Sequence, residues 1–243
     1  PYPDEGFFFK ARPENIDGLN FTGIDLASLA NNHFGNAGIA GAEFTFQHLQ
    51  DNNIQYVGAG YTDKEAYEGI VIERNGISTG FLAQSYDAGF QAVADNTGMA
   101  IIDIEKLTNS IYELKKQGAD LVVAIFHGGI EYISYPNWQQ KEFAYAAIDA
   151  GADLVIGHHP HWIQDIEKYN DKYIFYSLGN LIFDQNWSRE TSEGLVLQAR
   201  LEKGGIKSFS LLPILIEENF QPRFVDLEEE DFVSLEKIKN DLD

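Results

Sequence analysis

The sequence predicts an α/β fold with a mostly parallel central sheet. Three observations point to it. Short apolar runs alternate with amphipathic stretches along most of the chain. The pentapeptide Gly-Ala-Asp-Leu-Val occurs at 118–122 and again at 151–155, each time closing a helical stretch and opening an apolar run. Five of the six histidines stand directly after such runs, at the strand ends where an open α/β sheet forms its ligand sites.

Taken in order, residues 24–30 (IDLASLA), 54–58, 77–83, 121–126, 153–156 and 173–177 read as strands. The stretch 39–50 places Ala42, Phe46 and Leu49 on one helical face. Ile104, Leu107, Ile111 and Leu114 recur at three- and four-residue spacing, the stripe of a surface helix. Pro136 and Asn137 open a helix over 137–150, with Gln140 three residues after the cap candidate in a variant of the capping box. In each copy of the pentapeptide, glycine supplies the left-handed helix end and the apolar run that follows reads as a buried strand. The copies lie 33 residues apart with divergent flanks, so they mark two βα units and not a solenoid. Residues 24–30, 121–126, 153–156 and 173–177 are expected to be neighbouring strands. From about 190 the texture changes. Residues 190–220 read as a β-hairpin turning at Gly204-Gly205 at a sheet edge, and 226–243 as an acidic tail with a last helix near 234–242. No linker or low-complexity stretch interrupts the chain, so 1–243 reads as one domain.

Composition narrows the function. Seventeen basic residues against 38 acidic ones leave a net charge of −21, which repels phosphate backbones and anionic lipid and excludes general nucleic-acid binding. Cysteine is absent, which excludes disulfides, thiolate zinc sites and cysteine nucleophiles. No run reaches the ~18–20 apolar residues of a membrane span, and PYPDEGFFFK lacks the basic and apolar regions of a signal peptide. With no initial Met, the start reads as that of a processed or trimmed chain. No G-x-S-x-G, GxGxxG or Walker A motif occurs.

The histidines carry the chemistry. His33 ends LASLANNH, His127 ends LVVAIFH, and His158, His159 and His161 form GHHPH after DLVI. A His-x-His pair in an extended segment puts both imidazoles on one side, with Pro160 stiffening the backbone between them. His159 and His161 with His127 make three nitrogen donors suited to Zn, Mn, Fe or a similar ion, and Asn32 can add a carbonyl oxygen. His33, one residue on, points elsewhere and is the candidate proton donor to a leaving group. Asn31 shares that turn. Glu131 is placed to orient His127 or meet a ligand; Asn180, in Ser-Leu-Gly-Asn after a strand, and Asp184 are further candidates for lining the site. Tyr132, Tyr135 and Trp138 are rim aromatics or core. His48 reads as an ordinary helix histidine.

FKARPENIDGL at 9–19, IDLASLANNHFGNAG at 24–38, NNIQYVGAG at 52–60, FHGGIEY at 126–132, GADLVIGHHPHWIQDIE at 151–167 and YIFYSLGNLIFDQ at 173–185 together resemble the CapA-like poly-γ-glutamate capsule biosynthesis proteins, within the calcineurin-like metallophosphoesterase superfamily. The resemblance implies two β-sheets sandwiched between helices, with the site at strand ends. It matches Asn32 to a metal-ligating Asn, His33 to a proton-donating His, and His127 with His159 and His161 to later metal ligands, with His158 an alternative in the last motif. It further implies a divalent metal cofactor, a phosphoester or anionic polymer substrate, other capsule-synthesis subunits as partners, and an extracytoplasmic, cell-surface or membrane-anchored location set by a segment outside this chain. One departure stands out. The Gly-Asp and Asn-Leu-Glu segments that supply the acidic half of the metal site in relatives do not occur here. Two functions follow: a metal-dependent hydrolase, or a non-catalytic subunit that binds or guides poly-γ-glutamate in a membrane-bound complex.

Overall fold

The computed structural model describes residues 9–86, 89–218, 220–226 and 232. The first half runs α1 (Ile16–Thr22), β1 (Leu26–Ser28), α2 (Gly38–Asp51), β2 (Gln55–Val57), β3 (Ala59–Gly60), α3 (Asp63–Tyr67), β4 (Ile70–Arg74), β5 (Ile77–Ser85) and β6 (Gly98–Met99). The second runs α4 (Ile104–Lys116), β7 (Leu121–His127), α5 (Trp138–Asp149), β8 (Leu154–His158), β9 (Ile166–Tyr169), β10 (Lys172–Phe175), α6 (Arg189–Ser192), β11 (Glu193–Glu202), β12 (Gly205–Ile216) and β13 (Pro222–Phe224).

The main sheet has the order β4-β5-β7-β8-β10-β9. Its four inner strands are parallel and its two edge strands antiparallel. Alternation along the strands divides the core. Val122, Ala124 and Phe126 face α4 and α5, meeting Leu107, Ile111, Leu114 and Phe143. Val123, Phe175 and Leu154 face the other way, into a second cluster. Asn137 caps α5 in a full capping box with Gln140, as the sequence predicts.

The repeated pentapeptide has a structural counterpart. Asp120 donates its N–H to the Ser78 carbonyl (2.7 Å) while its Oδ2 accepts the Ser78 N–H (2.9 Å). Asp153 donates to the Val122 carbonyl (2.7 Å) and accepts the Val122 N–H (3.0 Å). Each aspartate thus clasps the neighbouring strand at two points as its own strand begins, and the clasp holds the register that aligns the strand ends.

Two expectations are corrected. Residues 24–30 do not neighbour β7: only Leu26–Ser28 is strand, and it pairs in parallel with β2 in a separate two-stranded sheet. β5 takes the place beside β7, in register from Thr79↔Leu121 to Ser85↔His127. Nine residues of β5 offer a far longer ladder than three of β1, and β1–β2 packs instead on the sheet face through Ala30, Val57 and Ala83. The hairpin forms, turning at Lys203-Gly204, but it is not an edge of the main sheet. It joins β13 in a sheet of its own, because Leu195, Leu197, Phe209 and Leu211 bury themselves on the cluster around Val123 and Phe175. The helix expected near 234–242 lies outside the described residues.

Candidate functional site

Three strands deliver their ends to one edge. Ser85, His127 and His158 are in register across β5, β7 and β8, and the Gly128 N–H donates to the His158 carbonyl at 2.9 Å. The turn after β1 arrives at the same edge. Asn31 braces that turn: its Oδ1 accepts the His33 N–H (2.9 Å) and its Nδ2 donates to the Leu29 carbonyl (3.3 Å). The brace aims Asn32 across the sheet, where its Oδ1 lies 2.9 Å from His127 Nε2, between residues 95 positions apart.

The direction of these hydrogen bonds can be worked out. Asn36 Oδ1 accepts the Phe9 N–H at 2.8 Å, so the His33 Nδ1 that meets the same oxygen at 3.1 Å carries a proton. In the neutral ring His33 Nε2 is then bare and accepts from Asn32 Nδ2 at 3.3 Å. That leaves Asn32 Oδ1 to accept from His127 Nε2. Burial first, and then the other histidines around it, hold His127 well below the ordinary imidazole range. Burial also pushes His158 down to about 4. Both rings are therefore neutral at pH 7, the form in which imidazole binds metals.

The GHHPH loop departs from the expected extended segment. His159 has φ 103° and His161 φ 60°, left-handed backbone that carries the two rings apart. The His159 ring centroid lies 4.9 Å from that of His127 and 6.2 Å from that of His161. A cavity of about 250 Å³ is lined by Asn32, Ser85, Tyr86, His127, Gly128, Gly129 and His159. His161 is not among its lining residues. Its Nδ1 meets Asn180 Oδ1 at 2.9 Å, and its ring lies between Tyr132 (centroids 5.9 Å, 21°) and Phe183 (5.1 Å). Glu131 is exposed beside the Tyr132 hydroxyl, whose pKa burial first and the Glu131 charge second raise. Asp184 is exposed, with no bond to the cluster among the described residues.

Several participants are not legible as site residues in the sequence. Ser85 and Tyr86 enter because β5, not β1, lies beside β7. Asn36 stands one helical turn beyond His33, a spacing that is a usable signal. The loop 128–136 is held from below: buried Gln140 donates to Gln164 Oε1 (2.7 Å), and Gln164 donates to the carbonyls of Ile133 and Tyr135 (2.9 and 3.0 Å). Gly129, at φ 125°, lies so close to the Gln140 amide that a side chain there would meet it at 2.7 Å.

The donors fit part of a metal site. Two ligands each about 2.1 Å from an ion and at right angles to one another lie about 3.0 Å apart, which is the Asn32 Oδ1–His127 Nε2 separation of 2.9 Å. His127 would serve there only after its Nε2 gives up its proton. Among the described residues no three His, Asp or Glu side chains converge closely enough to hold an ion, and no carboxylate lines the cavity. The neutral donors suit one ion. They do not suit a close pair of cations, whose repulsion needs bridging anions.

The family model described as bacterial capsule synthesis protein PGA_cap matches residues 1–185. The chain belongs to this family. PGA biosynthesis protein CapA of Bacillus subtilis (strain 168) is 37% identical over 219 residues, 88% of this chain and 57% of that protein. Capsule biosynthesis protein CapA of Bacillus anthracis is 33% identical over 220 residues, 88% of this chain and 53% of that protein. The PGA_cap chain thus spans about half the length of the curated relatives it matches. A solved structure, the calcineurin-like phosphoesterase YfkN from Bacillus subtilis, is similar with a TM-score of 0.52 at 16% identity, over 83% of this chain and 67% of that one. The chain therefore has a calcineurin-like fold.

Proposed function

We propose that this chain serves poly-γ-glutamate capsule synthesis through a metal-dependent, phosphoesterase-like hydrolytic site. The observation that carries the reading is the hydrogen bond between Asn32 Oδ1 and His127 Nε2, which brings two ligand-type side chains to 2.9 Å on one sheet edge. Asn32, His127 and His159 would hold a divalent ion (Mn, Zn or Fe), with His161, whose ring centroid lies 6.2 Å from that of His159, as the fourth candidate ligand. Such an ion lowers the pKa of bound water and polarises the oxygen of the scissile bond.

The chain's own groups do the rest. Asn31 and Asn36 fix His33 from its backbone and its Nδ1, so that Nε2 faces the cluster. As proton donor to a departing oxygen, His33 acts from its doubly protonated form, releasing the Asn32 amide. The cavity admits one end or one linkage of a polymer, since about 250 Å³ is smaller than the pockets that enclose whole ligands. A net charge of −21 opposes a polyanion everywhere except where a bound cation makes the surface locally positive.

A second reading is a non-catalytic subunit that guides the polymer alongside other capsule-synthesis subunits. That no carboxylate of the described residues lines the cavity favours it. In both readings the protein works outside the cytoplasm or at the cell surface, where a capsule is assembled. The deciding experiment is metal analysis of full-length, unchelated protein with a panel of phosphoester and γ-glutamyl substrates. Bound transition metal with turnover that chelation abolishes supports the hydrolase. Turnover absent with every substrate and metal supports the guide.

A further inference from the structure

The loop after β10 contains a residue whose hydrogen bonds dictate the protonation pattern of a site histidine. Asn180 is buried, 8% exposed. Its Nδ2 donates to the Thr191 carbonyl at 2.9 Å and to Gln185 Oε1 at 3.4 Å. A backbone carbonyl can only accept, so the amide has one orientation: Nδ2 toward Thr191 and Oδ1 toward His161 Nδ1, 2.9 Å away. That oxygen can only accept in turn, so the proton of the neutral His161 ring sits on Nδ1 and the lone pair on Nε2.

The same loop also fixes the ring plane. Phe183 lies against His161, and Gln185 Nε2 donates to the hydroxyl of Tyr132, which stacks on it (3.4 Å). Neighbouring groups keep Asn180 in place. Thr191 ends the capping box that Ser188 opens on α6, and Gly194 packs against the Asn180 carbonyl, leaving no room for a side chain.

We infer that Asn180 is a positioning residue that holds His161 as the Nδ1–H tautomer, leaving Nε2 as its only donor atom toward a metal or a proton. A histidine's free nitrogen is commonly set by the bond its other nitrogen makes. The inference rests on reading His161 as a site histidine. Its test needs neither metal nor turnover, so its failure and that of the hydrolase reading are separable.

The test is imidazole ¹⁵N NMR of metal-free, full-length protein at a pH well above the ordinary histidine value of about 6.5. His161 is assigned by its disappearance in His161→Gln. Wild type is expected to show His161 with Nδ1 protonated and Nε2 bare. Asn180→Asp keeps the accepting oxygen and should retain that pattern. Asn180→Ala, folded by its backbone ¹H–¹⁵N spectrum, should lose it to a mixture of tautomers. The inference is overturned by an Nε2–H tautomer in wild type, by its appearance in Asn180→Asp, or by an unchanged Nδ1–H population in folded Asn180→Ala. If Asn180→Ala does not fold, the wild-type and Asp spectra decide alone.

Discussion

Replacing Asp153 tests the clasp that starts β8 and so places the histidine-bearing end of that strand. Asp153 is 8% exposed, and its oxygens accept from the Val122 N–H (3.0 Å), Lys115 Nζ (2.8 Å) and Lys172 Nζ (2.6 Å). Asp153→Ala strands the fully buried Val122 N–H, at about 1–3 kcal/mol. Both lysine side chains are about one-third exposed and regain water, so each ion pair adds only about 0.5 kcal/mol. The expected loss is about 2–4 kcal/mol by denaturant unfolding at pH 7. Asp153→Asn keeps an acceptor for Val122 and should lose about 1 kcal/mol. Burial acts to raise the Asp153 pKa, but the bonds from Lys115, Lys172 and Val122 outweigh it and hold the carboxyl below the usual range. The ionised form's stabilisation is therefore complete above the unfolded value of about 3.9 and disappears as pH falls through the lower folded value. The gap between wild type and Asp153→Asn should stay constant from about pH 7 to 5 and close only below about pH 4. A loss under about 1 kcal/mol in Asp153→Ala, or a gap that widens in acid, would refute the clasp as a source of stability.

Three further outcomes are expected. Asn137→Ala removes the α5 capping box and should cost about 1 kcal/mol in unfolding free energy; no change would mean that packing alone sets the start of that helix. Gly157→Ala drives a methyl into the Tyr176 carbonyl and the buried Phe126 ring and should cost about 3 kcal/mol or more, whereas Gly18→Ala, in α1 with open space around it, should stabilise by about 0.5–1 kcal/mol; equal effects would show that the sheet yields at residue 157. In full-length active protein, His33→Ala should lower kcat about 10²–10⁴-fold with metal content retained, while His159→Ala should lower both together; wild-type kcat in the His33 variant would remove His33 as proton donor.

Much of the fold is legible because parallel strands buried on both faces read as apolar runs, and because one pentapeptide marks two strand starts. The neighbour of β7 is not legible. LASLA and ISTGFLA are equally good short strands by residue type, and only ladder length and the packing of Ala30 on Ala83 decide which joins the sheet. The common edge for the histidines follows from topology, so His127 and His159 meet as expected and Asn32 reaches them. The orientation of His161 does not follow. Extended backbone is the default for the residue before a proline, here His159, and nothing in the letters GHHPH announces positive φ at residues 159 and 161.

Left-handed residues occur both at this edge and away from it, Ala94 (φ 50°) and Phe220 (φ 61°) among the latter. Asn53, Asn75, Asn170 and Asp171 also have positive φ, but they are residue types that tolerate it and they lie in turns. His159 at φ 103° lies outside the usual left-handed well, and Tyr132 at φ 60° is a bulky residue within it. Their loops are tied to each other, the Tyr132 N–H donating to the Pro160 carbonyl at 2.9 Å, and the Tyr132 loop is tied to α5 through Gln164 and Gln140. The regular part of the molecule thus supplies the stability that holds two irregular loops together. Of those two loops, the one carrying His159 lines the cavity directly, and the one carrying Tyr132 reaches it through Gly128 and Gly129. It is this bracing, more than the left-handed residues themselves, that fixes the loop geometry at the edge where the strand ends deliver their histidines.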